Sequence, residues 1–220
     1  MSWYDCFLPD CQACQQKSWN LLCELCFKQY RFRGLCAYCA DLGSLGFTTC
    51  VSCRSRTRSI GALWVSFFYE KEVAKWIRRL KSKSIYRPWR ELKKMYLPSE
   101  LAAAKFDAIT YVPSSRGRQT SPSKELAQHL SRIFDNKPVL DLFHRKKFLK
   151  DQHQMNSRDR KLMISKIFSL KQTPRPNRLL LVDDVMTTGA SLFACANLIK
   201  SESPQCQIEA FVVARQKKLL

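Results

Sequence analysis

The 220-residue sequence lacks any apolar run near the ~18 residues that a membrane-spanning helix needs. Its first residues, MSWYDC, also lack the basic stretch and apolar core of a secretory signal. We therefore expect no membrane insertion and a location in the cytoplasm, where thiols are kept reduced. With 45% hydrophobic and 25% charged residues, the composition excludes a largely disordered or collagen-like chain.

Several catalytic signatures are missing as well. The sequence contains no serine-nucleophile elbow, no metalloprotease helix motif and no Walker loop. There are only three histidines, His129, His144 and His153, and they match no metal or catalytic-triad spacing. These absences argue against a serine hydrolase, a zinc metalloprotease and a P-loop nucleotidase.

Acidic residues are scarce, with 18 Asp and Glu against 38 Lys and Arg, which leaves a net charge of +20. The first 53 residues are electrically balanced and hold nine of the eleven cysteines, so the whole excess lies in 54–220. This change in composition predicts a cysteine-rich module over 1–56 and a second domain over 57–220.

The cysteines predict a zinc-binding module. Two intervening residues let both thiolates of a C-x-x-C pair reach one ion, and two such pairs complete a tetrahedral site. Four pairs therefore suit two zinc ions, and metal binding would supply the folding energy of so small a segment. The eight predicted ligands are Cys11, Cys14, Cys23, Cys26, Cys36, Cys39, Cys50 and Cys53.

The pairing of the cysteines stays open from spacing alone. Sequential pairing joins 11/14 with 23/26 and 36/39 with 50/53. Cross-braced pairing joins 11/14 with 36/39 and 23/26 with 50/53. Cys6 is left over and is able to replace a neighbour. Cys195 and Cys206, far from this module, are expected to be ordinary buried residues.

The second domain shows alternating strand and helix patterns, which predict an α/β fold with a mostly parallel sheet and helices on both faces. Apolar runs predict strands at 63–69, 107–112, 179–182 and 208–214. Amphipathic spacing predicts helices at Lys71–Lys81, from Pro88, from Pro122 and at 189–200.

The segment 179–191, LLLVDDVMTTGAS, carries the clearest chemical signal. Its apolar start predicts a buried strand with Asp183 and Asp184 at the carboxyl end, where ligands bind in open α/β sheets. Adjacent carboxylates repel each other and suit a ligand with hydroxyl donors or a cation. The turn that follows leads into a helix N-terminus, which binds phosphate through backbone N–H groups. The predicted phosphate ligands are Thr187, Thr188, Gly189, Ala190 and Ser191.

The alternative for this segment is an ordinary strand–turn–helix in which a threonine caps the helix. Such a cap needs one hydroxyl and no acid pair. The acid pair therefore favours a ligand site.

LLLVDDVMTTGAS resembles the phosphoribosyl-pyrophosphate (PRPP) motif of type I phosphoribosyltransferases. The whole chain is similar to the ComF/GntX family, which joins a cysteine-rich zinc module to a phosphoribosyltransferase-like domain. The similarity includes the four cysteine pairs and the aromatic strand followed by a basic helix. It also includes the spacing of Gln152, Met155, Arg160 and Phe168, and the final Val213-Ala214-Arg215.

The resemblance implies a role for each part of the motif. The two acids would bind the ribose hydroxyls, the loop after them the 5′-phosphate, and Mg²⁺ would accompany PRPP. The chain departs from the family in the loop that usually contacts pyrophosphate, where it has Arg116-Gly117-Arg118-Gln119-Thr120. Arg116 and Arg118 still suit phosphate oxygens.

The family's association with late competence implies a part in natural transformation, by DNA uptake or handling of incoming single-stranded DNA. A competence helicase or an uptake-channel protein is then an expected partner. One alternative is an active Mg²⁺-dependent transferase without a DNA role. Another is a PRPP sensor that acts on duplex nucleic acid, for which the sequence shows no helix-turn-helix pattern.

The basic residues of 54–94 also fit nucleic-acid binding. This stretch holds thirteen Lys and Arg against three Glu, interleaved with aromatic residues. Single-stranded DNA binders combine cations for phosphates with aromatic faces for bases. The alternative is a solvated helix face over core aromatics. The predicted contacts are Arg78, Arg79, Lys81, Lys83 and Arg87.

Overall fold

The computed structural model describes residues 11, 14–16, 18, 22–31, 59–81, 92, 97–114, 121–146 and 167–216. Within them the strands are β1 Ala62–Phe68, β2 Ala108–Tyr111, β3 Val139–Leu140, β4 Phe143–Arg145, β5 Phe168–Leu170, β6 Arg178–Met186 and β7 Gln207–Arg215. The helices are α1 Glu24–Tyr30, α2 Lys71–Lys81, α3 Ser99–Ala103, α4 Pro122–Ile133 and α5 Ala190–Glu202.

Five strands form a parallel sheet in the order β1-β7-β6-β2-β3. The short strands β4 and β5 form a separate antiparallel pair. β6 lies at the centre because its residues 179–182 are apolar and fully buried, as a strand covered on both faces requires. All five carboxyl ends therefore meet at one edge of the sheet.

Successive side chains of the central strands point to opposite faces and build two cores. On one face, Leu180 and Phe211 pack with residues of α2 and α4, including Trp76 and Leu126. On the other face, Leu181 packs with residues of α5 and of the β4–β5 pair. The predicted parallel α/β fold with helices on both faces is confirmed.

The predicted strands and helices that fall on described residues are confirmed to within a few residues, except at β6. We predicted that this strand ends at residue 182, before the acids. It continues to Met186, because β7 offers partners along its whole length, with Asp183 opposite Val212 and Met186 opposite Arg215. The acids therefore belong to the strand itself and share its rigidity.

The short elements α1, α3, β3, β4 and β5 were not predicted. The helix expected from Pro88 lies outside the described residues, and the boundary between 1–56 and 57–220 stays a prediction. No helix in the part of the chain that the structure describes is long and apolar enough to cross a membrane.

Residues near the N-terminus pack directly on the sheet. Cys11, Cys26 and Tyr30 share one core with Phe67 of β1 and Trp76 of α2. The Phe27 and Phe67 rings meet edge to face at 6.1 Å, and Phe67 meets Trp76 in the same way at 6.2 Å. Arg31 forms an isolated antiparallel bridge with Phe67. The cysteine-bearing segment thus covers β1, which is an edge strand of the sheet.

Candidate functional site

The structure brings four of the predicted zinc ligands together. The sulfur atoms of Cys11, Cys14, Cys23 and Cys26 all lie within 4.8 Å of one another. Cys14 Sγ and Cys23 Sγ are 3.7 Å apart. A tetrahedral zinc site with Zn–S bonds of ~2.3 Å has sulfur atoms about 3.8 Å apart, so the cluster fits a zinc ion.

The cluster consists of the first two C-x-x-C pairs, which favours sequential pairing over the cross-braced arrangement. The backbone N–H of Cys23 donates to Cys11 Sγ at 3.3 Å, which supports a negatively charged sulfur. Burial, together with the neighbouring thiols, raises the pKa of Cys26. Metal binding deprotonates cysteine thiols, so a bound ion would hold this cluster as thiolates. Cys6 and the predicted ligands Cys36, Cys39, Cys50 and Cys53 lie outside the described residues.

The acid pair lies near the carboxyl end of β6, and its carboxylates are held in place. Asp183 Oδ1 accepts a hydrogen bond from Ser123 Oγ and another from the backbone N–H of Asp184, both at 2.9 Å. Asp184 Oδ1 accepts from the backbone N–H of Val185 at 3.0 Å. One oxygen of each acid is thus fixed by the chain.

The electrostatics of the pair favour a ligand. Asp183 is half-buried and Asp184 is buried. Burial and the neighbouring charge of Asp184 raise the pKa of Asp183 well above its usual value. The pair therefore resists carrying two full negative charges. A ligand that donates hydroxyl groups to both acids relieves this cost.

The turn after β6, where we predicted phosphate binding, leads directly into a helix. Thr187 and Thr188 are exposed, and the 13-residue helix α5 begins at Ala190. Its N-cap is Gly189, which has a left-handed backbone with φ of 77°. Because other residues rarely adopt this conformation, glycine is favoured here, and a Cβ would also lie 2.5 Å from the terminal methyl group of Met186.

The N-cap position of α5 holds glycine and therefore has no side-chain cap bond, and the nearest threonine hydroxyl is that of Thr188, one residue earlier. Thr188 Oγ1 accepts from the Ala190 N–H at 3.4 Å, a long contact. Ser191, half-buried in the first turn of α5, follows directly. Exposed hydroxyl groups thus adjoin the N-terminus of α5, and phosphate binding by residues 187–191 stays a prediction.

Arg145 belongs to the surroundings of the acid pair, although sequence reasoning did not select it. Its Nη1 donates to the Pro113 carbonyl at 3.0 Å, and its guanidinium carbon lies 5.1 Å from the centre of the Phe168 ring. Burial lowers the pKa of Arg145, while the charges of Cys195 and Asp183 act in the opposite direction. Arg145 thus binds the loop after β2 and is near enough to Asp183 for the two charges to interact.

A second polar group lies at the same sheet edge. Tyr111 ends β2, and Asp141 directly follows β3. Lys171 Nζ contacts Asp141 Oδ2 at 2.6 Å, and the Tyr111 hydroxyl hydrogen-bonds the same carboxylate. Burial and this bond raise the pKa of Tyr111, so its hydroxyl stays protonated and donates. The group extends the polar edge from β6 across β2 to β3.

The other predicted site residues are described only in part. Arg116, Arg118, Lys83 and Arg87 lie outside the described residues, as do Gln152, Met155 and Arg160. Arg79 and Lys81 belong to α2 through their backbone, and their side chains are not described. Arg78 is exposed on α2, and its Nε donates to the Ala74 carbonyl at 3.2 Å.

The remaining thiols and His129 are structural. Cys195 and Cys206 are fully buried, as expected. His129 Nε2 lies 2.7 Å from the Leu92 carbonyl oxygen, and burial lowers the pKa of its ring. The expectation that His129 serves in packing is consistent with this contact.

Comparison with known proteins agrees with this geometry. Residues 121–219 match the family model of the phosphoribosyl transferase domain. The chain is 26% identical over 209 residues to competence protein F of Haemophilus influenzae, and the alignment covers 89% of this chain and 91% of that protein. The matched domain contains the acid pair and its turn. The cysteine cluster, the parallel sheet and these similarities support a ComF-type protein with a type I phosphoribosyltransferase-like domain.

Proposed function

We propose that the chain binds PRPP, or a closely related phosphosugar, at the carboxyl edge of its sheet. The observation that carries this proposal is the sequence of groups at the end of β6. Two acids with fixed carboxylates are followed within a few residues by a left-handed glycine and a helix N-terminus. Acids select a ligand with neighbouring hydroxyl groups, and the helix N-terminus selects a phosphate.

Each part of the site has a separate role in this proposal. Asp183 and Asp184 accept hydrogen bonds from the ribose hydroxyls, and residues 187–191 hold the 5′-phosphate. Arg145 lies on the side of Pro113, where the chain continues towards Arg116 and Arg118. Guanidinium groups suit pyrophosphate oxygens, so these arginines are the proposed pyrophosphate contacts. Mg²⁺, bound together with PRPP, would neutralise part of the pyrophosphate charge.

A transfer reaction is the alternative function of the same site. The ribose would become positively charged as pyrophosphate leaves, and the fixed charges of Asp183 and Asp184 would stabilise that state. The transferase-type domain supports this alternative. PRPP-dependent release of pyrophosphate with a base or nucleotide acceptor would establish turnover. Failure with every acceptor would leave binding alone.

The first test is a calorimetric titration of the zinc-loaded protein with PRPP and Mg²⁺. We expect saturable binding with a stoichiometry of about one, because the chain has one such acid pair followed by a phosphate turn. Ribose 5-phosphate should bind more weakly, since it lacks the pyrophosphate. Absence of PRPP binding would contradict the proposal and would leave the motif with an architectural role.

We further propose that the protein handles single-stranded DNA during natural transformation. The relative in Haemophilus influenzae is named a competence protein, and the chain carries a net charge of +20. Helix α2 exposes Lys71, Lys75 and Arg78, although Lys75 also contacts Glu72 at 2.8 Å. Exposed cations on one helix attract nucleic-acid phosphates. A competence helicase or an uptake-channel protein is the proposed partner, in the cytoplasm.

Charge reversal on α2 is expected to weaken binding to single-stranded DNA by about tenfold or more. The variant is Arg78→Glu/Arg79→Glu/Lys81→Glu, and fluorescence anisotropy with a labelled oligonucleotide gives the affinity. We also expect a plot of the logarithm of the binding constant against the logarithm of the salt concentration to have a shallower slope. If these residues bind phosphates, the slope should change by about 0.7 for each phosphate that the variant no longer neutralises.

A control variant separates a local contact from a general effect of charge. The control is Lys105→Glu/Lys137→Glu/Arg175→Glu, which changes the net charge by the same amount. These residues lie just before β2, β3 and β6, at the amino edge of the sheet. The control variant should keep most of the DNA affinity. Equal losses of affinity in the two variants would contradict a DNA site on α2. They would show that the site lies elsewhere or that binding depends only on the net charge of the protein.

A further inference from the structure

Ser123 lies in the first turn of α4, where the residue is buried and only 3% exposed. Its Oγ donates to Asp183 Oδ1 at 2.9 Å, across 60 residues of sequence. The bond joins α4 to the central strand β6 at the acid pair. The partner of this hydroxyl is therefore the carboxylate that the proposed function assigns to the ribose.

The surroundings of Asp183 come from four elements of the fold. Asp184 neighbours it on β6, Ser123 faces it from α4, Arg145 acts on it from β4, and Cys195 acts on it from α5. Burial and Asp184 oppose ionisation of Asp183, whereas the Ser123 hydroxyl lowers the pKa of that carboxyl. Ser123 is thus a donor that favours the carboxylate over the neutral acid.

Two donors on one oxygen fix the orientation of the carboxylate. Asp183 Oδ1 accepts from both Ser123 Oγ and the Asp184 N–H. Oδ1 is thereby fixed, and Oδ2 is the oxygen that the proposal assigns to a ligand hydroxyl, beside the Asp184 carboxyl that also contacts this group. A free aspartate side chain would have to lose this rotational freedom on binding, at a cost in affinity.

We propose that Ser123 is a positioning residue that orients Asp183 towards the sugar hydroxyls of the bound phosphosugar. This rests on the proposed function of the acid pair. In this role Ser123 acts through Asp183 and does not contact the ligand itself.

The test compares Ser123→Ala with the wild type for two ligands, PRPP with Mg²⁺ and inorganic pyrophosphate with Mg²⁺. We expect PRPP affinity to fall about tenfold, since hydrogen bonds to charged groups are of that order. Pyrophosphate affinity should stay unchanged, because this ligand has no sugar. Equal losses of affinity for both ligands would indicate a general structural defect and would overturn the proposal, as would an unchanged PRPP affinity.

Two further variants control for folding and for side-chain volume. Ser131→Ala removes a hydroxyl from the same helix, where it donates to the Lys137 carbonyl at 2.6 Å, and it should leave both affinities unchanged. Ser123→Cys keeps the volume and a weaker donor, so its PRPP affinity should lie between those of the wild type and Ser123→Ala. A Ser123→Cys affinity equal to that of Ser123→Ala or to that of the wild type would contradict the donor role.

A measurement without ligand distinguishes failure of this inference from failure of the proposed function. The Asp183 carboxyl carbon, labelled with ¹³C, is followed by NMR through a pH titration. Ser123→Ala should raise the pKa of Asp183 further, because the substitution removes a donor to the carboxylate. An unchanged pKa would overturn the positioning role even if PRPP binds. A raised pKa without PRPP binding would overturn only the proposed function.

Discussion

Removal of the metal ion from the Cys11–Cys26 cluster is expected to destabilise β1 and α2 as well as the cysteine segment. The cluster shares its core with Phe67 and Trp76, so loss of its structure uncovers the edge strand. Structural zinc supplies much of the folding energy of such segments. We expect a loss of about 3 kcal/mol or more, roughly 10 °C in Tm. Amide hydrogen exchange should show lower protection over 62–81 after chelation.

Cys14→Ser is the matched variant for this prediction. Cys14 is exposed, so its substitution removes a metal ligand without leaving a cavity. It should therefore reproduce the effect of the chelator, and added zinc should not restore full stability. PRPP binding at β6 should survive in both cases. Unchanged exchange over 62–81 in the metal-free protein would show that the sheet does not depend on the cluster.

The double substitution Asp183→Asn/Asp184→Asn is expected to weaken PRPP binding by about a hundredfold or more. Hydrogen bonds to charged groups contribute about 1.5–3 kcal/mol each, and two such acceptors change together. Thermal stability should stay the same or rise slightly, because the change removes repulsion between two buried carboxylates. Calorimetry measures the affinity, and thermal unfolding with and without PRPP measures the stability.

Asp107→Asn is the control for this substitution. Asp107 precedes β2 at the opposite end of the sheet, where its Oδ2 accepts from the N–H groups of Asn177 and Arg178. The Asp107→Asn substitution makes the same chemical change away from the proposed site, so PRPP affinity should not change. PRPP binding that persists in the acid-pair variant would show that the ligand site lies elsewhere.

Much of the fold could be predicted because its central strands are continuous apolar runs. A continuous apolar run such as 179–182 or 208–214 is stable as a strand only when both of its faces are buried. Because a helix connects these two strands, they are expected to pair in parallel. The two- and three-residue strands β3, β4 and β5 were missed because so few residues show no periodicity. Helix α1 was missed because its seven residues are too few to show a helical periodicity.

Only part of the candidate site could be predicted from the sequence. The acids and the phosphate turn are contiguous in sequence, so 179–191 carries them as one local pattern. Ser123 and Arg145 are single polar residues that belong to no recognisable sequence motif. They reach the acids only because β2 lies beside β6 and the β4–β5 pair packs on one face of the sheet. Nothing in the spacing of these residues indicates the contacts.

The sequence by itself determined the parallel α/β domain, the cysteine pairs with metal spacing, and the acid–phosphate segment, because each depends on neighbouring residues or on burial patterns. Tertiary structure alone decided three other matters. The first is which cysteine pairs form one cluster, and the second is the extension of β6 through the acids. The third is the position of Ser123 and Arg145 near Asp183. Each of these depends on which distant segments become neighbours, and strand order across the sheet sets that arrangement.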